Sequence, residues 1–214
     1  MITIAVGVGE NKNILEACDI FKTQKPDVNM KLIENDEKLA KSISDKNINA
    51  TIRGSLSASN VLKQLKESYP KISRATYING EGHEFLISSV GIDEGNTLEE
   101  KLNIAIHCIN FMKKLEKTPK IATLSYARPG DYGRSEEINQ SLDDTEKLSK
   151  LIEKHTNQKI ENQCVLIDQA IKNKCNILIA PNGIVGNTIF RTLVLLNSWP
   201  SFGAITFGIN EIYI

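Results

Sequence analysis

Three short segments of the sequence combine small residues, hydroxyls, amides and arginines, which are the groups that bind phosphate in proteins. They are residues 53–57, 125–131 and 182–187. Each segment follows an apolar run that predicts a buried strand, so we expect all three at the carboxyl ends of strands, where α/β proteins bind ligands. Small residues let the backbone approach an anion, and arginine presents a planar fork to two phosphate oxygens. The pattern therefore predicts a phosphate site.

The strongest of these signals lies in residues 176–209. A buried strand over Asn176–Ala180 runs into a Pro-Asn-Gly turn, a helix is predicted from Thr188, and a strand follows at 203–208. A strand, turn and helix in this order leave backbone N–H groups pointing at one place, where the helix dipole favours an anion. An ordinary strand-to-helix turn has the same outline, so both interpretations stay open from geometry alone.

The candidate side chains follow from these segments. The predicted phosphate- or ligand-binding residues are Arg53, Gly54, Ser55, Ser125, Arg128, Gly130, Asn182, Gly183, Gly186, Asn187 and Arg191. Asp168 is a candidate orienting residue, although an aspartate in the first turn of a helix also complements the dipole. Arg191 equally suits the surface of the predicted helix. Tyr126 suits either stacking on a cofactor ring or packing, and Asp131 is interpreted as a turn residue.

No residue pair predicts covalent or metal catalysis, so the catalytic residues remain unassigned. The four cysteines, Cys18, Cys108, Cys164 and Cys175, lack Cys-x-x-Cys spacing and lie in apolar patterns. That usage is typical of buried thiols in a reducing compartment, and we expect neither a metal site nor a nucleophilic cysteine.

Composition excludes several classes of function. The 214 residues carry 26 Lys plus Arg against 26 Asp plus Glu, so no net field recruits nucleic acid or an anionic membrane. No run approaches the roughly 20 apolar residues of a membrane span, and the first residues lack the basic start of a signal peptide. We expect a cytoplasmic protein with no tightly bound cofactor.

Apolar runs alternate with helical patterns along the chain, which predicts βαβ units and mainly parallel sheets. An Asn-Gly turn at 79–82 between two apolar runs predicts one antiparallel hairpin. The predicted strands are 2–8, 29–33, 49–53, 75–78, 84–90, 121–125, 176–180 and 203–208. The predicted helices are 11–21, 36–46, one from 57 or 59 to 69, 96–116, 135–154, 165–171 and a last one from 188.

These segments resemble the phosphotransacetylase family. That family has a strand entering Pro-Asp-x-x-x-Gly-Asn, an aromatic and a basic residue on the next helix, and then Gly-Pro-Ile-x-x-Gly. The matching positions here are Pro181, Asn182, Gly186, Asn187, Phe190, Arg191, Gly203, Ile205 and Gly208. The segments 124–130, 168–171 and 54–63 resemble further motifs of the family, so the likeness covers about 52–209. Within this superfamily the chain is most similar to the methanogenesis marker group, the MtxX methyltransferase-subunit proteins of archaea.

The resemblance implies a three-layer α/β/α fold of the isocitrate/isopropylmalate dehydrogenase type, with mainly parallel sheets in two lobes around a cleft. Residues 1–69 with 182–214 would form the first lobe and 70–181 the second. It implies a phosphate-bearing ligand in the cleft, namely coenzyme A as a substrate, an acyl phosphate or phosphate. A transferase activity linked to methanogenesis, a methyltransferase complex as partner, and a homodimer are further expectations.

Two departures from the family pattern bear on activity. The family's Asp after the proline is Asn182 here, which keeps hydrogen bonding and loses any acid/base role. The sequence stops at Ile214, before the family's Ser-Arg pair and Asp that act on acetyl phosphate and coenzyme A. We therefore expect phosphate binding without phosphotransacetylase turnover. The alternative is a non-catalytic accessory subunit, and a metal-dependent dehydrogenase is disfavoured because no Asp-x-x-x-Asp cluster occurs in the matching region.

Overall fold

The computed structural model describes residues 1–80 and 82–214. Within these residues, α-helices and β-strands mostly alternate, and the strands form two sheets. The strands are β1 Ile2–Gly7, β2 Val28–Ile33, β3 Ala50–Ile52, β4 Ser73–Gly80, β5 His83–Ser88, β6 Ile121–Leu124, β7 Ile160–Cys164, β8 Ile177–Ile179 and β9 Ser201–Phe207. The helices are α1 Asn13–Gln24, α2 Asp36–Ser42, α3 Ala58–Ser68, α4 Leu98–Lys114, α5 Glu136–Thr156, α6 Ile167–Lys172 and α7 Gly183–Phe190.

The described residues separate into two compact units. Unit 1 comprises Met1–Ile72 with Ile205–Ile214, and unit 2 comprises Ser73–Ala204. The sequence placed the second boundary at Pro181, whereas the structure groups the following helix with unit 2. Leu193 and Trp199 pack against the core of unit 2, so the segment is held there by apolar burial.

Unit 1 is built on a three-stranded parallel sheet in the order β2-β1-β3. Ser57 is the N-cap of helix α3, since its hydroxyl accepts the N–H of Asn60, and the helix ends before Pro70 as predicted. The side chains of Ala5, Leu39 and Val61 are fully buried in its core. The end of the chain also belongs to this unit, because Tyr213 bridges to Thr51 beside the sheet.

Unit 2 is built on a six-stranded sheet in the order β7-β6-β8-β5-β4-β9. β5, β8, β6 and β7 run parallel, and β4 pairs antiparallel with β5. The predicted hairpin is therefore confirmed, although Glu81 in its turn lies outside the described residues. The core of unit 2 contains Phe85, Ile87 and Leu178. All four cysteines of the chain are free and buried, as predicted.

The elements predicted from the sequence need two corrections. The strand β7 was not predicted, because Ile160–Cys164 is polar at its centre and occupies the edge of the sheet, where burial does not impose an apolar run. The last helix was predicted from Thr188 but α7 begins at Gly183. Two glycines in the first turn of α7 have low helix propensity, so the sequence did not indicate where the helix begins. Close packing of those glycines compensates for the low propensity.

No helix of the described residues combines the length and apolar character needed to cross a bilayer.

Candidate functional site

The carboxyl edge of the unit 2 sheet brings together two of the three predicted segments. Tyr126 follows β6, and Asn182 follows the neighbouring strand β8. The Asn182 Nδ2 amide donates a hydrogen bond of 2.6 Å to the Tyr126 hydroxyl. The loops after two adjacent parallel strands are thus hydrogen bonded to each other at this edge. The third segment, residues 53–57, belongs to unit 1.

Asn182 is the N-cap of α7. Its Oδ1 atom accepts the N–H of Val185 at 2.9 Å, and its carbonyl accepts the N–H of Gly186 at 3.1 Å. The N–H of Gly183 donates to the carbonyl of Glu94 at 2.9 Å. Of the amides at 183–185, two are therefore already paired within the protein. The helix start that was predicted to cradle phosphate instead satisfies most of its own donors.

The two glycines of α7 are required by close packing. A Cβ at position 183 would lie 1.6 Å from the Gly91 carbonyl oxygen, and one at position 186 would lie 1.8 Å from the Ser89 carbonyl oxygen. Asn187 completes the contact, because its Nδ2 donates to the carbonyl of Val90 at 3.0 Å. The segment 89–95, which follows β5, therefore packs directly against α7 and joins the same edge of the sheet.

A buried ion pair shapes this segment. The Arg74 Nε atom lies 2.7 Å from the Glu94 Oε1 atom, and the backbone N–H groups of Arg74 and Gly91 donate to Oε2. Glu94 is 5% exposed, and a buried carboxylate needs such donors to offset its desolvation. The ion pair positions the Glu94 backbone carbonyl, which accepts the N–H of Gly183 at the start of α7.

The segment after β6 carries the cationic part of the site. Asp131 lies between two arginines, at 3.5 Å from Arg128 Nε and 3.0 Å from Arg134 Nη2. The backbone N–H of Arg128 donates to the Asp131 carboxylate and lowers its pKa, and the two guanidiniums lower that pKa further. Both arginines are mostly exposed, at 62% and 69% of their side chains. Asp131, predicted as a turn residue, is the carboxylate that holds them together.

A cavity of about 410 Å³ lies beside these arginines. Its lining combines charged and apolar side chains, and the apolar ones include exposed Tyr126, Val165 and Leu166. An aromatic ring and aliphatic side chains suit the face of a base, while guanidiniums suit phosphate oxygens. The arrangement can hold a molecule that carries both, at the place where the loops of β6 and β7 meet.

The predicted segment of unit 1 has a different character. The Arg53 guanidinium donates to the carbonyl of Leu56 at 2.5 Å, and the Ser55 hydroxyl accepts the N–H of Gly9 at 2.8 Å. Gly54 adopts a positive φ of 58°, and a Cβ there would lie 2.1 Å from the Gly7 carbonyl oxygen. This loop is closed on the end of β1 by its own polar groups.

The remaining predicted residues lie as follows. The Ser125 hydroxyl is buried and donates to the carbonyl of Ala127 at 2.9 Å, while a Cβ at Gly130 would meet nothing within 4 Å. Asp168 pairs at 3.3 Å with Lys172 on its own helix, which lowers the pKa of the carboxylate. Arg191 is exposed at the end of α7, where the helix widens into a π-helical stretch to Leu196.

The sequence reasoning missed Arg134, Val165 and Leu166. Arg134 follows Arg128 across a turn that contains Pro129, and the apolar pair follows the unpredicted strand β7. Cysteine chemistry finds no support, because burial raises the pKa of the Cys108 and Cys175 thiols to about 12.

Comparison with known sequences finds close relatives in methanogens. The chain is 33% identical over 213 residues to an uncharacterized methyltransferase of Methanocaldococcus jannaschii, which covers 96% of this chain and 86% of the relative. It is 36% identical over 175 residues to the putative methyltransferase mtx subunit X of Methanosarcina barkeri, covering 80% of this chain and 64% of the relative. The chain thus spans less than two thirds of that Methanosarcina relative. No protein-family model matches the chain.

Comparison with solved structures identifies the fold. A branched-chain phosphotransacylase from Enterococcus faecalis superposes with a TM-score of 0.71 at 19% identity, covering 100% of this chain and 91% of the other. A phosphotransacetylase from Streptococcus pyogenes gives 0.69 at 14% identity, covering 99% and 87%. A 4-hydroxythreonine-4-phosphate dehydrogenase from Klebsiella pneumoniae gives 0.61 at 9% identity, covering 100% and 90%. The predicted α/β fold of the phosphotransacetylase and dehydrogenase type is confirmed.

Proposed function

Because the chain belongs to the family of methanogen proteins that includes the uncharacterized methyltransferase of Methanocaldococcus jannaschii and the mtx subunit X proteins, we propose that it binds a phosphate-bearing ligand and takes part in group transfer in methanogenesis. The ligand is coenzyme A, an acyl phosphate or phosphate. The observation that carries the proposal is the cavity beside Arg128 and Arg134 at the carboxyl edge of the unit 2 sheet.

The cavity favours a ligand with a ring and phosphates over a simple ion. Each charge-assisted hydrogen bond from an arginine to a phosphate contributes about 1.5–3 kcal/mol. Asp131 neutralises part of the charge of Arg128 and Arg134, which lowers their attraction for a lone anion. The exposed Tyr126 ring supplies a stacking surface, worth about 1 kcal/mol beyond its burial. Coenzyme A offers both kinds of group.

If acyl transfer occurs, the sulfur of the coenzyme A thiolate forms a bond to the acyl carbonyl carbon. The bond from that carbon to the phosphate oxygen breaks, and phosphate leaves with the electron pair. Arg128 would stabilise phosphate charge. Asn182 lies where the phosphotransacetylase family has Asp, and an amide neither takes up nor releases a proton. Its amide already contacts Tyr126 and caps α7, so we expect turnover to be nearly absent.

The experiment pairs binding with turnover. Isothermal titration with coenzyme A, and with pantetheine as the control that lacks the nucleotide and its phosphates, tests the cavity. We expect coenzyme A to bind at least tenfold more tightly than pantetheine, because only coenzyme A meets the arginines. A thioester-formation assay with acetyl phosphate and coenzyme A then tests transfer. Equal binding of pantetheine and coenzyme A would remove the proposed phosphate contacts.

The alternative is an accessory subunit that keeps the fold without acyl-transfer chemistry. A run of large apolar residues with exposed side chains within residues 184–202 favours it, because exposed apolar side chains are suited to contact a partner. They are Ile184, Leu195, Leu196 and Phe202, on α7, the stretch after it and β9. Under this alternative the run contacts a methyltransferase, and coenzyme A binds without turnover.

For the isolated chain we propose a homodimer. Sedimentation equilibrium measures its mass, and Leu195→Glu with Leu196→Glu is expected to shift a dimer toward monomer by placing charges on the apolar run. A mass unchanged by both substitutions would separate this run from dimer formation.

A further inference from the structure

The first turn of α4 contains a buried lysine that no part of the proposed site has used. Lys101 is 8% exposed, and among the described residues no carboxylate or carbonyl pairs with its ammonium. A lysine near a helix N-terminus is also opposed by the helix dipole. The ammonium nitrogen is not among the fully buried side-chain atoms of the described residues that lack a partner, so a ligand from outside the protein can reach it.

Lys101 lies against the segment that packs on α7. Its Cγ atom is 3.8 Å from the position of a Cβ on Gly95, and the Ser89 hydroxyl lies 2.2 Å from that same position. The Ser89 Oγ atom is fully buried and has no hydrogen-bond partner among the described residues. An unpaired lysine and an unpaired serine hydroxyl therefore share one wall, formed by residues 89–95.

On its other side Lys101 faces α5. Asp144 of α5 and Glu100 of α4 are the carboxylates that act on the ammonium, and neither forms an ion pair with it. One turn before Asp144, the Ser141 hydroxyl accepts the backbone N–H of Tyr126 at 3.0 Å. Burial lowers the pKa of Lys101, while the two carboxylates raise it.

These contacts form a closed ring at the carboxyl edge of the unit 2 sheet. From α5 the ring passes through Tyr126 to Asn182 and α7, and from Gly183 to the carbonyl of Glu94. Gly95 of the segment 89–95 then lies next to Lys101 of α4, and α4 packs against α5. Lys101 thus lies in the same ring of contacts as the hydrogen bond between Tyr126 and Asn182.

We propose that Lys101 is the residue that binds a phosphoryl oxyanion at this ring, separately from the arginines beside Asp131. The inference rests on the proposed function and assigns its two halves: Arg128 and Arg134 hold the nucleotide end of coenzyme A, and Lys101 holds the small phosphate or acyl phosphate. An oxyanion would supply the negative partner that Lys101 lacks among the described residues, and the unpaired Ser89 hydroxyl lies on the same side of Gly95 as the Lys101 stem.

The test compares Lys101→Met with Lys113→Met, an exposed lysine on the same helix. Isothermal titration with inorganic phosphate and with acetyl phosphate measures the affinity for the small anion. Titration with coenzyme A measures the affinity of the site beside Arg128 and Arg134. We expect Lys101→Met to weaken phosphate and acetyl phosphate by about 10- to 100-fold and to leave coenzyme A within about twofold. Lys113→Met should leave all three unchanged.

Methionine keeps the packing of the lysine stem, so the variant is expected to fold and to melt at the same temperature as the wild type or above it. Lys101→Arg keeps the charge and is expected to retain measurable phosphate binding. Equal phosphate binding by wild type and Lys101→Met would overturn the inference while coenzyme A binding still supports the proposed function. A wild type that binds neither coenzyme A nor phosphate would overturn both.

Discussion

The loops after β3 and after β6 have similar composition, but they differ in whether their polar groups are available to a ligand. Both follow a parallel strand, and both combine arginine, glycine and serine. After β3, Arg53 and Ser55 are hydrogen bonded inside unit 1, to Leu56 and Gly9. After β6, the guanidiniums of Arg128 and Arg134 share one carboxylate and stay mostly exposed.

The difference shows that residue types alone identify a loop that could bind phosphate. Whether its hydrogen-bond donors are available to a ligand depends on where the acceptor groups of the protein lie. A guanidinium that donates to a carbonyl of its own loop stabilises the loop and gives up part of its capacity for a ligand. Asp131, by contrast, orients two arginines and leaves most of their donors facing solvent. Only the second arrangement is suited to an incoming anion.

The largest expected effect contrasts the glycines of the two loops. Gly54→Ala should lower the free energy of unfolding by about 2–4 kcal/mol, because its φ is 58° and the new Cβ would meet the Gly7 carbonyl at 2.1 Å. Gly130→Ala should change it by less than about 0.5 kcal/mol, since no atom lies within 4 Å. Urea unfolding measures both. Equal losses would show that the loop after β3 is not closed as described.

A smaller effect is expected on ligand affinity. Replacing both Arg128 and Arg134 by alanine should weaken the binding of coenzyme A by about 100-fold, because the loss of two charge-assisted hydrogen bonds costs roughly 3 kcal/mol in total. Arg53→Ala should change coenzyme A affinity by less than about threefold, because that guanidinium already donates to Leu56. Isothermal titration decides. A larger loss from Arg53→Ala would place the ligand phosphate at the loop after β3 instead.

The smallest expected effect is a pH dependence of the loop after β6. The Arg128 amide and the two guanidiniums lower the pKa of Asp131, so the carboxylate stabilises the fold above its unfolded pKa, and this contribution is lost as pH falls through the lower folded value. Asp131→Asn should therefore be less stable than the wild type near neutral pH. The difference should shrink as the pH is lowered from about 5 to about 2. Thermal unfolding across this range measures it, and a constant difference would exclude the titration of Asp131 as its source.

Much of the fold followed from the sequence. Alternating apolar runs and helical periods located β1, β6, β8 and most helices, and the Asn-Gly turn located the antiparallel pair β4 and β5. These elements could be predicted because strand and helix periods are local properties that burial of one face imposes. Strand β7 could not, since an edge strand with polar residues lacks that signal.

The start of α7 was decided by tertiary structure. Gly183 and Gly186 have low helix propensity, and the sequence alone therefore placed them in a turn. In the fold, no larger residue fits beside the carbonyls of Gly91 and Ser89, so close packing compensates for the poor propensity. The helix then caps itself with Asn182, which changes an apparent anion cradle into a paired helix start.

By itself the sequence determined the family, the α/β class and the strand ends at which chemistry is expected, because these depend on residue types and their spacing. Tertiary structure decided which donors remain available at those strand ends. Arg53 and Arg128 are equivalent in the sequence pattern, and only the fold places a carbonyl on the first and a shared carboxylate beside the second. Lys101 carries no motif at all, and its significance comes from burial without a partner, which depends on residues distant in the chain.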